Sequence, residues 1–237
     1  MTLEGVPDWL LTLHQGVNYL GSFGVAIPLL IGLRRWPSLS GPARALVWYF
    51  AFWTLEAPVN LWSRRVLHTN IYLYHLDSLV ETWLLGWVYY RALPAPQLRR
   101  WFVPAGLIFT AVVVADATVL SGLQALNEYA RIAQTVLLLT LTILYFDRYM
   151  WQLPQQSAWR DFMFVVSLGL AVYYAGSVSG YVLFSRYASL GEDNPLLYSL
   201  AGLIIDSTYL VTLVLLTLAL SRDQRPRGWP VRRPVGA

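Results

Sequence analysis

Apolar runs of bilayer length, each closed by arginine or by a polar or proline-rich turn, leave this chain little choice of architecture. A membrane-spanning helix needs about 20 mostly apolar residues. The sequence offers seven such stretches: Leu11–Leu33, Ala43–Ser63, Ile71–Ala92, Trp101–Leu120, the segment from the end of the polar loop Ser121–Glu128 to about Tyr145, Phe162–Phe184 and Leu196–Leu220. Hydrocarbon offers no partner to a free backbone N–H or C=O, so runs of this kind must be helices. The expected fold is all-α: a seven-transmembrane-helix bundle over residues 1–220, followed by an Arg/Pro-rich tail, 221–237, too polar to build a core and expected to be disordered. Composition agrees, with 57% hydrophobic and 13% charged residues and a mean hydropathy of +0.48.

Arginine sets the orientation, because basic residues of short loops stay on the cytoplasmic side. With the N-terminus outside, the cytoplasmic segments hold Arg34, Arg35, Arg44, Arg91, Arg99, Arg100, Arg148, Arg160 and the five of the tail, thirteen against Arg64, Arg65, Arg131 and Arg186 outside. The expectation is N-terminus outside, C-terminus cytoplasmic. Residues Met1–Leu10 carry Glu4 and Asp8 and no basic residue, so they lack the positive start of a signal peptide. The net charge of +4 comes from helix-end arginines and the tail, so it is read as topology and not as a nucleic-acid surface.

Whole classes of chemistry are excluded by residues the chain does not have. Without cysteine there are no disulfides, thiolate nucleophiles or Cys-based metal sites. All 17 basic residues are arginine, which removes Schiff-base chemistry on a lysine, and Leu210 stands four residues after Asp206, where a retinal-bearing lysine would fall in a rhodopsin-like chain. Only three histidines exist, His14, His68 and His75, too few for a multi-histidine hydrolase centre. Neither a metal nor a cofactor is expected, and Ser78, three residues from His75, carries little weight as a nucleophile.

Against this apolar background the buried acids stand out. Glu56 lies within one run and Asp77 and Glu81 within the next; each ionisable group at such depth costs roughly 2.5 kcal/mol or more. Assigning depths at about 1.5 Å per residue puts Glu56, Asn60, Asp77, Asp116, Gln134, Tyr173, Tyr174, Ser177 and Asp206 on the external side of their span midpoints, with Glu81 near the middle. Spacing adds to this: Asn60 follows Glu56 by four, Glu81 follows Asp77 by four, and Ser199, Gly202, Asp206 and Tyr209 make one stripe. Trp53, His75 and Tyr209 bring rings close to the acids. The expectation is a shared polar, aromatic cavity in the outer half of the bundle, with Glu56, Glu81 and Asp206 pointing into it. The plainer alternative is that protonated carboxyls join helices by hydrogen bonds. Trp36, Trp101, Trp151 and Trp159 read as interfacial anchors, and Pro28 and Pro58 as kinks.

A desolvated carboxylic acid can protonate an epoxide or alkene, and aromatic faces can stabilise the cation that follows. The size, the seven spans, the W-T-L-E of Trp53–Glu56 and the D-S-T-Y of Asp206–Tyr209 resemble the integral-membrane terpene cyclases of fungal and bacterial meroterpenoid pathways. That resemblance implies Glu56 and Asp206 as the catalytic pair. With the depths and spacing above, the expectation is Glu56 as proton donor, Asp206 as its partner, Asp77 and Glu81 as further catalytic acids that tune the donor or receive the proton, and Trp53, Asn60, His75, Asp116, Gln134, Tyr173, Tyr174, Ser177 and Tyr209 lining a site for a prenyl-derived substrate. The family's usual adjacent W-E is W-T-L-E here. The stretch Asn70–Glu81, N-I-Y-L-Y-H-L-D-S-L-V-E, is similar instead to an uncharacterised bacterial seven-helix family. Both imply a bacterial cytoplasmic membrane. A second function stays open: a non-enzymatic sensor, carrier or accessory subunit that binds a lipid, quinone or pigment.

Overall fold

A computed structural model describes residues 7–93, 96–152, 157–190 and 195–223, and all regular structure among them is helical. The helices are α1 (Asp8–Gly24), α2 (Ala26–Arg35), α3 (Gly41–Val66), α4 (Ile71–Ala92), α5 (Pro96–Ala115) with a wide final turn at Asp116–Leu120, α6 (Glu128–Gln152), α7 (Phe162–Leu190) and α8 (Pro195–Arg222). The first two continue one another, so seven joined helices result. The break falls at Val25, where Pro28 three residues on has no N–H to give the carbonyl of Gly24. Both Pro58 and Pro104 lie inside helices that continue past them.

Among the described residues, five stretches are long and apolar enough to cross a membrane: Asp8–Ser38, Arg99–Leu120, Glu128–Trp151, Phe162–Leu183 and Ser199–Arg222. The protein is an integral, multi-pass membrane protein. The two helices outside that set, α3 and α4, have 26 and 22 residues, about 39 and 33 Å at the helical rise. Length is therefore not what they lack. Arg44, Glu56, Arg64 and Arg65 in α3, and Asp77, Glu81 and Arg91 in α4, lower their hydropathy, so the helices that carry the acids are the ones least suited to lipid on all sides.

Packing explains where they go. Phe50 of α3, Leu85 and Tyr89 of α4, Leu138 of α6, Val166 and Leu170 of α7 and Leu216 of α8 form one continuous buried core. Helix α7 is central: half of its apolar stretch is buried, against 17–28% for the other four. Large apolar side chains such as Ile108, Val119 and Trp151 stay 68%, 79% and 81% exposed, the surface that lipid covers. Close helix contact relies on glycine, as it does where lipid removes the usual hydrophobic drive. A Cβ on Gly176 would stand 2.4 Å from Thr208 Cγ2, so the α8 side chain packs directly on the α7 backbone there.

The helix boundaries differ modestly from the sequence expectation. Helix α5 begins at Pro96 and not at Trp101, α6 runs to Gln152, and α7 runs to Leu190. In place of a tail from Ser221, α8 continues to Arg222, and 224–237 lie outside the described residues, as do 191–194 of the expected loop. Arg35 has more than a topological task. Its guanidinium donates to the carbonyls of Leu220 (2.8 Å), Ser221 and Asp223 (2.7 Å), filling acceptors that the C-terminus of α8 leaves open. Asp223 in turn accepts from the N–H of Ser40 at the start of α3 (2.7 Å).

Candidate functional site

The centre of the polar cluster is Glu81 on α4, which is 2% exposed. Its Oε2 accepts from Gln134 Nε2 at 2.8 Å and faces Arg131 Nη1 at 3.5 Å, while Oε1 faces the Tyr49 hydroxyl at 3.5 Å. Gln134 works in both directions, since its Oε1 accepts from Arg131 Nη1 at 2.9 Å. Arg131 and Gln134 are three residues apart on α6 and so share a face; Asp77 and Glu81 do the same on α4. The amide thus bridges a cation and an anion that are themselves at the outer limit of direct contact.

Tyrosines enclose the guanidinium. Arg131 Nη2 donates to the Tyr173 hydroxyl at 2.5 Å, and its charge lies 5.4, 5.9 and 4.9 Å from the ring centres of Tyr173, Tyr174 and Tyr181. Cation–π contacts of this kind strengthen when water is excluded, and the Arg131 side chain is only 13% exposed. Tyr209 stacks edgewise on Tyr173 at 5.8 Å. Its hydroxyl lies within electrostatic reach of Glu81, Glu56 and Asp206.

Asp206, on α8, is tied to α1. Its Oδ2 accepts from Asn18 Nδ2 at 3.0 Å and stands 3.4 Å from His14 Nε2. The stripe expected on α8 is therefore the α1-facing surface: a Cβ on Gly202 would lie 2.5 Å from His14, and one on Gly21 would lie 3.1 Å from the Tyr209 ring. Glu56 is half-buried on α3 and accepts from Asn60 Nδ2 at 2.8 Å, as their four-residue spacing predicts; Asn70 extends the chain to Asn60 Oδ1 at 3.2 Å. Asp77 is buried within reach of Glu56, Glu81 and Arg131. Ser177, one turn beyond Tyr174, is buried and donates to the Tyr174 carbonyl at 3.4 Å. His75 is buried as well, but two residues from Asp77 it projects from the other side of α4, and neither ring nitrogen has a partner among the described residues.

The structure gives Asp116 a different task from lining this cluster. Its Oδ2 accepts from the N–H of Ala130 at 2.9 Å, its Oδ1 from the Ser121 hydroxyl at 2.6 Å, and its carbonyl from Ser121 and Gly122 N–H. It caps the start of α6 from a distance, and the loop closes over Gly122 at φ +82°. Asp116→Ala should therefore lower stability by about 1–3 kcal/mol, the cost of stranding buried donors, with a smaller loss for Asp116→Asn. Thermal unfolding in mild detergent measures both; an unchanged melting temperature in Asp116→Ala would remove the capping role.

The sequence expectation does not include Arg131, Tyr181, His14, Asn18 or Tyr49 among the site residues. Charge counting assigns Arg131 to the external loops, yet Arg131 and Gln134 repeat the one-face spacing seen for the acids. No protein-family model, curated protein or solved structure matches the chain. The likeness to membrane terpene cyclases thus rests on size, the expected spans and the short motifs W-T-L-E and D-S-T-Y. Among the described residues no group of three or more His, Asp or Glu is placed to hold a metal ion.

Proposed function

We propose that this protein binds a lipophilic small molecule, entering from the bilayer, at the tyrosine-rich polar cluster between α3, α4, α6, α7 and α8, and serves as a sensor, carrier or accessory subunit. The observation that carries this reading is the Glu81–Gln134–Arg131 bridge inside its ring of tyrosines. Such a group is fixed before any ligand arrives, and fixed polar groups in an apolar wall are what orient a ligand. Glu81 is engaged by Gln134 and Arg131, and Asp206 is likewise engaged by Asn18 and His14. All seven joined helices span the membrane in this reading, with the N-terminus outside, as the arginine count supports.

One observation favours a second reading, acid-catalysed cyclisation or isomerisation of a prenyl-derived substrate. Glu56 and Asp206, the pair that the terpene-cyclase resemblance implies, both lie within electrostatic reach of Tyr209. The two readings part on a proton. Glu56→Gln and Asp206→Asn keep shape and most hydrogen bonding, so a binding protein should lose no more than about 1–2 kcal/mol of affinity, about 5- to 30-fold. A catalyst that must donate a proton should stop turning over. Purified wild type and both variants are extracted for bound lipid by mass spectrometry and incubated with prenyl epoxides and polyenes. Enrichment of one lipid class in all three proteins, without product, is the expected result. Product formed by wild type and lost in the variants would replace binding with catalysis, and neither lipid nor product would remove both.

A further inference from the structure

Four buried side chains among the described residues carry polar atoms without a hydrogen-bond partner: Arg131 at Nε, His75 at both ring nitrogens, Trp53 at its indole Nε1 and Asp77 at Oδ1. The last two sit on the neighbouring helices α3 and α4. One is a donor only, the other an acceptor whenever the carboxyl is ionised. Buried groups of this kind almost always find a partner, so their joint vacancy asks for a group that serves both.

Their positions make one shared partner reasonable. Tyr49 of α3 reaches Glu81 of α4, and the Tyr49 and Trp53 rings are 6.3 Å apart between centres. Trp53 is one turn from Tyr49 toward the α3–α4 link, and Asp77 is one turn from Glu81 toward the same link, since the helices run antiparallel. Asp77 is also within reach of Glu56, three residues past Trp53. The indole N–H and the free carboxylate oxygen therefore lie at one level of the α3–α4 pair, beside the tyrosine cluster. Asp77 is 6% exposed, so bulk water does not serve it.

We infer that Trp53 and Asp77 form the head-group subsite for a lipophilic alcohol, whose oxygen accepts from the indole N–H while its hydroxyl hydrogen is given to Asp77. This rests on the binding reading above and narrows its ligand. An ether or ketone satisfies only the indole, a hydrocarbon neither, and a carboxylate ligand would confront Asp77, Glu56 and Glu81. A hydroxyl fits both atoms. Its source is either an isoprenoid or a straight-chain lipid, which the chemistry of the subsite does not distinguish.

The test uses the full chain in lipid nanodiscs, with geranylgeraniol and oleyl alcohol each set against its own methyl ether and against squalene as hydrocarbon. Retention is measured by mass spectrometry after empty discs are removed. Wild type should hold at least one alcohol about 5-fold more tightly than its ether, the worth of one hydrogen bond. Asp77→Leu should erase that preference, and Trp53→Phe should weaken alcohol and ether alike by about 5-fold. Preference for geranylgeraniol alone would assign an isoprenoid source, and preference for both a general lipid alcohol. Equal retention of alcohol and ether by wild type overturns the subsite while leaving lipid binding intact, and means that the two atoms share a bridging water only. Retention of none of the probes overturns the subsite and counts against the binding reading itself. The wild-type comparison holds even if a variant does not fold.

Discussion

Arg131→Met should destabilise the folded protein by about 3–5 kcal/mol, because it strands Glu81 as an uncompensated buried charge. The same change also removes the cation from three tyrosine rings and breaks the bridge through Gln134. Removing both charges, as in Arg131→Met with Glu81→Leu, should recover most of the loss, since an apolar pair of similar volume is often as stable as a buried ion pair. Denaturant unfolding in mixed micelles, analysed as a double-mutant cycle, reads the coupling directly. Simple addition of the two single losses would show that the residues do not act as a pair.

A single methyl group on α7 should have an effect of comparable size. In Gly180→Ala the new Cβ would lie 2.5 Å from Ile205 Cγ1 and 3.0 Å from the carbonyl oxygen of Ala201. The isoleucine can rotate, but the carbonyl belongs to the α8 backbone and yields only if the helix moves away. Overpacking of this kind costs about 1–3 kcal/mol, and Gly180→Val, with more bulk at the same point, should cost more. Gly16→Ala is the control: its Cβ meets nothing within 4 Å, and the helix should gain roughly 0.5–1 kcal/mol from the lost flexibility. Both are followed by unfolding in the same detergent. A Gly180→Ala protein as stable as wild type would mean that α7 and α8 are further apart than described.

Local spacing was the legible part of this sequence. Helices follow from apolar runs, and the four-residue spacing of Glu56 and Asn60 puts them on one helix face, where they share a 2.8 Å hydrogen bond. What a run cannot state is how each helix is rotated against distant ones. Arg131 looks like one more loop arginine until Glu81, 50 residues earlier, is placed opposite it. Asp116 and Gln134 share a depth in the sequence, but only the fold turns one toward the α6 backbone and the other toward the carboxylate. Asp206 illustrates the same limit, because its partners Asn18 and His14 lie nearly a full chain away. The functional inference is less legible still, since short motifs such as W-T-L-E hold no record of what faces them.

The separation between Glu81 and Arg131 also matters for how the protein is made. Helices α3 and α4, joined by only a short link, leave the ribosome before α6, and at roughly 5–20 residues per second the 50 residues between Glu81 and Arg131 take about 3–10 s to appear. During that interval the acids of α4 have no cation to meet, and neither helix is apolar enough to settle alone in lipid. Helices α3 and α4 must therefore wait, as a pair, at the insertion machinery or near the head groups. Their final burial is set by the arrival of α6 and α7, which makes the second half of the chain a folding partner for the first.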